Sequence, residues 1–356
     1  MSGIHVEAEL TLVGRILTDE VNNVNNELYV SDSTTSARLR TGEPRRIASG
    51  ALRAFGFLLL GVSLTAWVAT STVCAQELEP RAYTNTPVGI NFLLVGYAYQ
   101  DGDVATDPSL PIEDAKVHIH TSLVAYARSF GLLGKSAKVD VVVPYSWLSG
   151  SATFRGQPEE RNVDGFADPR FRMSVNLYGA PALTLEEFAG YEQNVIFGVS
   201  MQIMPPLGQY DSARAVNIGS HRWAFKPEIG LSKGLGPLSL EIAPSLTFYT
   251  DNDEFLGDKV RKQDPIYSVQ GHAVYRFGNA LWGSLDGTYY GGGKTTIDGA
   301  ENDDGQSNAR LGLTLALSVS RHHSIKLYAS KAVATRIGGD FDIVGLILQY
   351  RWGGGL

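Results

Sequence analysis

The stretch from Asn308 to Ser320 reads Asn-Ala-Arg-Leu-Gly-Leu-Thr-Leu-Ala-Leu-Ser-Val-Ser, and large apolar side chains occupy every second position from residue 311 onward. Successive side chains of an extended chain point to opposite sides, so this spacing divides the segment into two faces. One face is made of Leu311, Leu313, Leu315, Leu317 and Val319. The other begins with Arg310 and continues with small or polar residues. The stretch therefore predicts a β-strand that is apolar on one side and polar on the other.

The same alternation recurs from position 88 to position 352, in segments separated by turn residues. Most of these segments have about ten residues or slightly more, which is the length at which a tilted strand crosses a bilayer. We predict an all-β protein, a closed antiparallel transmembrane β-barrel of about 12 strands. The predicted strands are 88–99, 115–129, 136–148, 168–179, 192–204, 221–233, 237–250, 264–277, 280–291, 307–320, 323–334 and 341–352.

The connections between these strands alternate in length. Those that follow odd-numbered strands are mostly long, such as 149–167 and 251–263, whereas those that follow even-numbered strands are mostly short, such as 278–279. Outer-membrane barrels show this alternation, with short periplasmic turns and longer extracellular loops. An even strand number then places both termini in the periplasm. The connection 180–191 is a long exception, and we expect a short helix there that begins near Thr184.

Ahead of the strands lies a segment with the pattern of an export signal. Arg45 and Arg46 precede the apolar run 54–69, and small residues follow up to Ala75, after which we expect cleavage. The only cysteine, Cys74, adjoins this site, so the mature chain is expected to have none. The predicted organisation is a disordered extension or mis-assigned start over 1–44, a signal peptide over 45–75, a periplasmic N-terminal segment over 76–87, the barrel over 88–352 and a C-terminal tail over 353–356.

Composition limits the class of protein. The 356 residues carry a formal net charge of -7, which gives no reason to expect a nucleic-acid partner. No long apolar run follows residue 76. A mature chain that spans a membrane must therefore be a barrel, because only helices and closed barrels satisfy every backbone group in lipid.

A soluble β-sandwich or soluble barrel would show the same alternation. Aromatic residues at strand ends, such as Trp147 and Tyr289, favour the membrane, since they form girdles at its interfaces.

The last predicted strand ends with aromatic residues. Leu346, Leu348, Tyr350 and Trp352 share one face of it. This end resembles the C-terminal signal of outer-membrane barrels, so we expect the barrel assembly machinery to bind strand 344–352. The other expected partners are outer-membrane lipid, lipopolysaccharide and a small-molecule solute, and we expect no cofactor and no metal site.

Several short motifs resemble one known family. They are Pro80-Arg-Ala-Tyr-Thr-Asn-Thr-Pro, Gly165-Phe-Ala-Asp-Pro-Arg, Pro206-Leu-Gly-Gln-Tyr, Trp223-Ala-Phe-Lys-Pro-Glu and Thr335-Arg-Ile-Gly-Gly-Asp. Together they are similar to the outer-membrane family labelled for the meta-pathway of phenol degradation, whose members are described as transporters. The resemblance covers nearly all of residues 77–352 and implies a barrel with a role in uptake of aromatic or hydrophobic compounds. It supplies no binding residues.

Twelve strands enclose a narrow bore, which side chains line or constrict. The residues predicted to face the lumen and contact a solute are His118, His120, Arg128, Asp140, Arg170, Arg172, Lys226, Glu228, Glu241, His272, Arg276, Arg310 and Arg351. Lys138, Gln270, Asp286 and Lys326 are predicted to face inward with them. Cations outnumber carboxylates in this set, and rings of Arg and Lys favour anions.

Three functions are compatible with this lumen. The first is a channel or transporter for small solutes that are anionic, aromatic or hydrophobic. The second is a structural outer-membrane barrel, in which the charges pair across the lumen and seal it. The third is an outer-membrane lipid-modifying enzyme. We expect no enzyme and no catalytic residue, because the histidines are predicted to lie inside or in turns and the sequence contains no Gly-x-Ser-x-Gly elbow.

Overall fold

The computed structural model describes residues 79–106, 112–154 and 156–356. The predicted extension 1–44 and signal peptide 45–75 lie outside these residues. Within the described ranges, no helix is long and apolar enough to cross a membrane.

Within the described ranges, seventeen β-strands make up almost all of the regular structure. They are β1 (Ile90–Ala105), β2 (Ile112–Leu132), β3 (Lys135–Phe154), β4 (Gln157–Phe166), β5 (Arg170–Tyr178), β6 (Val195–Met204), β7 (Ala224–Leu235), β8 (Leu238–Tyr249), β9 (Asn252–Phe255), β10 (Lys259–Gln263), β11 (Ile266–Arg276), β12 (Leu281–Gly292), β13 (Thr295–Ile297), β14 (Ala300–Glu301), β15 (Gln306–Ser318), β16 (His323–Ala334) and β17 (Gly338–Gly353).

Twelve of these strands form the wall of a closed antiparallel barrel. Each pairs with its two neighbours in the order β1, β2, β3, β5, β6, β7, β8, β11, β12, β15, β16 and β17. The last strand returns to the first, with β1 and β17 paired from Ile90↔Gly353 to Ala105↔Gly338. The predicted closed barrel of 12 strands is confirmed, and each predicted strand corresponds to one strand of the wall.

The two ends of the barrel differ. At the end where β1 begins and β17 finishes, here called the terminal end, neighbouring strands are joined mainly by tight turns such as the one between β7 and β8. At the other end, here called the loop end, the long connections contain further strands. Residues 149–167 hold the far part of β3 and all of β4, which pair with each other. The connections after β8 and β12 form a separate four-stranded sheet in the order β14, β13, β10 and β9.

The one long connection at the terminal end contains the expected helix, α1 (Leu185–Phe188). Thr184 is its N-cap, and its side chain accepts the backbone N–H of Glu187. The Glu187 carboxylate in turn accepts the N–H of Thr184 at 2.8 Å, which completes a capping box. These hydrogen bonds to the ionised form lower the pKa of Glu187.

The outer surface of the wall is a belt of exposed apolar side chains. One example from each strand of the wall is given by Leu93, Val124, Val143, Met173, Met201, Ile229, Ile242, Val269, Leu285, Leu313, Leu327 and Leu346. Polar side chains such as Gln202, Gln270 and Asp286 are buried on the inward face instead. A soluble barrel has the opposite arrangement, so the belt is the surface that contacts lipid.

A charge placed in the middle of this belt should destabilise the barrel. Leu313 is 63% exposed and belongs to the paired Leu285–Leu313 rung. We expect Leu313→Arg to lower the free energy of unfolding by about 2–4 kcal/mol, because arginine near the bilayer midplane loses its hydration. Guanidinium unfolding in phospholipid vesicles measures the change. Leu133→Arg is the matched control, since Leu133 is 94% exposed in the turn between β2 and β3. Equal losses in both variants would show that the belt does not contact hydrocarbon.

Candidate solute pathway through the barrel

The described residues that precede β1 lie inside the barrel. Residues 79–89, here called the internal segment, contact inward-facing side chains of β3, β5, β6, β7 and β8. Tyr83 is 5% exposed, and its hydroxyl contacts Glu228 Oε1 at 3.0 Å and Ser200 Oγ at 3.1 Å. The sequence-based prediction of a periplasmic segment over 76–87 is therefore wrong for residues 79–87. The prediction failed because a segment without periodicity gives no sign of the distant side chains that bind it.

Two glycines make room for the Tyr83 ring. Gly198 on β6 and Gly230 on β7 form a directly opposed pair on the inward face. A Cβ atom built on Gly230 would lie 2.1 Å from the Tyr83 ring, and one on Gly198 would lie 2.5 Å from it. The ring therefore rests against bare backbone. Asn176 on β5, the rung neighbour of Gly198, also holds the segment by donating from Nδ2 to the Tyr83 carbonyl at 3.1 Å.

Charged groups of the wall also bind the internal segment. Arg172 on β5 donates from Nε to Asp140 Oδ2 at 3.0 Å and forms an ion pair with the carboxylate of Glu79. Lys138 donates a hydrogen bond from Nζ to a carbonyl oxygen of the segment. Glu241 accepts the backbone N–H of Arg81 at 2.7 Å. The segment thus supplies a carboxylate that pairs with Arg172 beside the Arg172–Asp140 ion pair.

A polar cavity lies beside the internal segment. Its lining residues are Glu79, Arg172, Ser200, Gln202, Lys226, Glu228 and Gln270. Lys226 Nζ lies 3.7 Å from Glu228 Oε2, with both side chains buried. Of the predicted site residues, Asp140, Arg172, Lys226, Glu228 and Glu241 are thus brought together around the segment or this cavity.

A second buried network lies next to the cavity. His272 Nδ1 and Asp286 Oδ1 are 2.8 Å apart on β11 and β12. The other oxygen of Asp286 accepts hydrogen bonds from Ser284 Oγ at 3.1 Å and Thr314 Oγ1 at 2.8 Å. With both oxygens occupied, Asp286 is a fully bonded wall residue that fixes the His272 ring.

Arginines concentrate toward the loop end of the lumen. Arg310 is 1% exposed and donates from Nη1 to Ser330 Oγ at 3.1 Å and to the Phe341 carbonyl at 2.8 Å. Its Nε and Nη2 atoms are buried and have no hydrogen-bond acceptor among the described residues. Arg222 is 2% exposed and lies 4.3 Å over the Tyr249 ring.

The connection 205–223 covers this end from above. Asp168, two residues before β5, holds the connection by accepting the N–H groups of Gly208 and Ser220, each at 2.8 Å. Val216 packs against the buried cluster formed by β1, β2, β3 and β17. The connection is therefore fixed against the inner wall, and the lumen is narrowed from both ends.

Three predicted lumen residues face outward instead. The register pairs His120 with Tyr99, His118 with Asp101 and Arg128 with Asn91, all on the outer face of the wall. His118 Nδ1 lies 3.0 Å from Asp101 Oδ1, with both side chains about half exposed. The predictions that His118, His120 and Arg128 line the lumen are therefore wrong.

The physical reason is that polarity changes sides along β2. Beyond the apolar belt, β1, β2 and β3 continue past the bilayer, so their outer face meets water and can be polar. Their inner face there is apolar, where Val104, Val117, Leu148 and Phe341 form a buried cluster. Arg128 lies toward the other end of β2, on the same face as the exposed Val124. Period-two alternation identifies which residues share a face and does not state which face is inside.

The remaining predicted residues lie on inward positions away from the cavity. Arg170 occupies the first position of β5. Arg276 and Arg351 lie at the terminal end and bind turns there. Arg276 Nη2 donates to the Gly236 carbonyl at 2.8 Å, and Arg351 Nε donates to the Arg321 carbonyl at 2.6 Å. These two side chains fix turns and do not contact the cavity.

Because some histidines lie on the outer face, a catalytic site on the surface has to be considered. Such a site needs a serine hydroxyl bound to a histidine that a third group orients. His120 Nδ1 instead binds the Tyr97 hydroxyl at 2.6 Å. Ser320 Oγ lies 3.0 Å from His323 Nδ1, but it also accepts the N–H of His323 and closes the turn between β15 and β16. The described residues contain no serine–histidine pair with a carboxylate bound behind it.

A solved outer-membrane channel shares this fold. An outer membrane channel from Pseudomonas putida F1 matches at 20% identity with a TM-score of 0.67, covering 78% of this chain and 100% of that chain. The β domain of the Bordetella autotransporter BrkA matches at 10% identity with a TM-score of 0.43, covering 75% and 99%. The likeness to the channel concerns the fold alone. No curated protein shows significant sequence similarity to the chain.

A family model assigns the chain to a family, which is more specific than the shared fold. The family described as "Putative MetA-pathway of phenol degradation" matches residues 95–341, from β1 to β17. The resemblance noted from the short motifs is therefore confirmed. With this match over most of the barrel, on a fold shared with an outer-membrane channel, the chain belongs to the phenol-degradation family of outer-membrane β-barrels.

Proposed function

We propose that this barrel is an outer-membrane channel for small solutes and that the internal segment closes it in the state described. One observation carries this proposal. The lumen is filled by a separate stretch of chain held through hydrogen bonds and ion pairs, and the wall side chains do not pack into an apolar core. A small polar cavity beside Arg172 and Gln270 remains next to the segment.

The attachment of the internal segment suits reversible closure. Most of its bonds involve a side chain, either of the segment, such as Tyr83 and Glu79, or of the wall, such as Asn176, and the segment continues covalently into β1. None of these contacts is part of the ladder of the wall. The segment can therefore leave the lumen without breaking a pair of strands, and the wall side chains that it releases become accessible to solute.

The charges of the lumen favour small anionic solutes, including those with an aromatic ring. Arg310 and Arg222 are buried toward the loop end, beside Tyr290 and Tyr249. Two nitrogens of Arg310 lack an acceptor among the described residues, so a passing carboxylate or phenolate could supply one. Rings of arginine favour anions in pores.

The difference between the two ends of the barrel also gives its orientation in the outer membrane. Both termini lie in the periplasm, because the terminal end carries the short turns and the loop end carries the long connections. Lipopolysaccharide surrounds the loop end, and the assembly machinery binds the last strand, where Tyr350 and Trp352 stack at 5.5 Å. The barrel acts as a conduit and catalyses no reaction.

A sealed structural barrel is the second candidate. It is favoured by the pairing of Arg172 with Asp140, of Lys226 with Glu228 and of His272 with Asp286. Paired charges fill a polar interior without requiring transport. The two candidates differ in what happens when the internal segment is displaced, since a sealed barrel stays closed.

Gly230→Ala should open the lumen. The added methyl group would overlap the Tyr83 ring and displace the internal segment. We expect single-channel conductance in planar bilayers to rise above that of the wild type. In a Tyr83→Ala background, the same substitution should add little, because the overlapping ring is gone.

Gly271→Ala is the matched control. A Cβ atom there approaches only a carbonyl oxygen at 3.8 Å, so conductance should not change. A wild type without current, together with a Gly230→Ala variant without current, would identify the sealed barrel.

Arg310→Gln should reduce the preference for anions. A unit charge facing a partly hydrated lumen contributes on the order of 1 kcal/mol, which corresponds to about a fivefold fall in the anion-to-cation permeability ratio. Reversal potentials in a salt gradient measure this ratio. Arg310→Lys keeps the charge and should keep most of the preference. Arg336→Gln, which removes an exposed arginine paired with Asp303 outside the lumen, is the control. A ratio that is the same in all of these variants would contradict the assignment of Arg310 to the pathway.

A further inference from the structure

One sector of the wall has no acidic side chain toward the terminal end. The sector consists of β15, β16, β17, β1 and β2, which are neighbours in the barrel. No aspartate or glutamate occurs in residues 87–100, 115–139, 309–339 or 343–356. The exposed cations at this edge include Arg128 and Arg321. The turns at this end contain acidic residues only in the connection between β5 and β6, such as Glu192. The terminal edge of the barrel is therefore positively charged on one side.

Aromatic and polar side chains form a row on the outer face of this sector. Asn91, the second residue of β1, is opposite Arg128 of β2 on one side and Trp352 of β17 on the other. The next outward rung places Tyr126 and Tyr350 behind this row. Their ring centroids lie 6.2 Å and 5.5 Å from that of Trp352. Tryptophan and tyrosine occupy the depth of the lipid headgroups in membrane proteins, so the row lies at the edge of the bilayer.

Asn91 fixes the aromatic residues beside Arg128. Its Nδ2 donates to the Trp352 carbonyl at 3.3 Å, and its Oδ1 accepts the Tyr126 hydroxyl at 2.7 Å. A ligand that contacts these residues therefore restricts little further motion on binding. Arg128 itself is exposed, and no described carboxylate forms an ion pair with it.

The turn between β15 and β16 continues the row on its other side. The His322 carbonyl accepts the N–H of Arg351 at 2.8 Å, which holds this turn against β17. His323 is opposite Tyr350 in the register, and their ring centroids are 5.2 Å apart. Arg321 is exposed in the turn. Guanidinium groups thus lie on both sides of the aromatic row, Arg321 beside β17 and Arg128 beside β1.

The apolar belt begins directly next to the row, so a ligand that fits this place has to be amphipathic. Leu93, Val124 and Leu348 are exposed there, at 39%, 52% and 50%. A ligand bound at Arg128 meets a positive charge at one end and hydrocarbon-facing side chains at the other. A phospholipid satisfies both surfaces, whereas a soluble anion satisfies only the first.

We propose that this row binds the headgroup of an anionic phospholipid, such as phosphatidylglycerol, in the periplasmic leaflet of the outer membrane. Arg128 binds the phosphodiester, since a guanidinium donates parallel hydrogen bonds to two phosphate oxygens. Trp352 and Tyr126 contact the glycerol and the first part of the acyl chains. Arg321 adds a second positive charge. The inference rests on the proposed function only for the periplasmic position of the terminal end, and it does not require the lumen to conduct.

Native mass spectrometry of the barrel in detergent tests the site. The protein is titrated with dioleoyl phosphatidylglycerol or with dioleoyl phosphatidylcholine, which has the same chains and no net charge. The wild type should retain phosphatidylglycerol preferentially. Arg128→Gln should weaken the binding of phosphatidylglycerol by about fivefold, the contribution of one basic residue near a membrane surface, and leave phosphatidylcholine unaffected. Arg128→Lys keeps the charge and should keep most of the preference.

Lys233→Gln is the matched control. Lys233 lies toward the terminal end of β7, outside the acid-free sector, where its Nζ donates to Asn194 Oδ1. We expect no change in lipid binding. Equal weakening by Lys233→Gln and Arg128→Gln would show a general effect of surface charge and overturn the site. Equal retention of the two lipids by the wild type, or release of phosphatidylglycerol by inorganic phosphate, would overturn it as well.

Thermal unfolding in vesicles gives a second readout. A ligand that binds only the folded barrel stabilises it, so the wild type should unfold at a higher temperature in vesicles that contain phosphatidylglycerol than in phosphatidylcholine alone. Arg128→Gln should lose most of this difference. A difference that persists in full in Arg128→Gln would contradict the proposed role of the arginine.

The leaflet is tested separately from the lipid. Leu133 is 94% exposed in the turn between β2 and β3, at the same end as Arg128. In a Cys74→Ser chain, Leu133→Cys should react with a membrane-impermeant maleimide only after the outer membrane is permeabilised. Labelling in intact cells would overturn the periplasmic placement here and in the proposed function. A missing preference for phosphatidylglycerol would overturn the lipid site and leave the proposed channel in place.

Discussion

The whole structure depends on the requirement that every backbone N–H and C=O in the hydrocarbon has a partner within the protein. The pairing of β1 with β17 meets this requirement, because it removes the two edges that an open sheet would expose. Once the ladder is closed, the outward side chains need only be apolar, and the belt of Leu, Val, Ile and Phe follows. The inward side chains are freed from that condition and can carry charge.

Closure creates a second problem, because side chains from twelve strands do not fill the space that they enclose. This chain fills part of it with the internal segment, which fits because Gly198 and Gly230 have no side chains where the Tyr83 ring lies. It also compensates charge, since Glu79 enters a region that contains Arg172 and Lys138. A lumen filled in this way can empty without loss of a single bond in the wall. That property is the one that the proposed channel requires and that a packed core lacks.

The sequence predicts the wall well and its contents poorly. Alternation over segments such as 308–320 identifies every strand of the barrel, because period two is a local property that the membrane enforces. The capping box at Thr184 is local as well, and the helix begins there as expected. In contrast, the facing of His118 depends on where the belt ends, and the position of Tyr83 depends on glycines more than a hundred residues away. The small sheet of β9, β10, β13 and β14 was missed because its strands are too short to show a period.

Prolines in the middle of a wall contradict the requirement on which the fold depends, and this contradiction explains why they are informative. A sequence that pairs its backbone in every neighbouring seam has the means to pair it between β7 and β8 as well. Instead, Pro227 and Pro244 each withhold a donor from the same seam, next to the strand position where Tyr83 covers Gly230. The internal segment thus supports the wall from inside where its own ladder is weakest. Withdrawal of the segment would remove this support at the moment the lumen opens, so the filling of the lumen and the stability of the wall are coupled through one strand, β7.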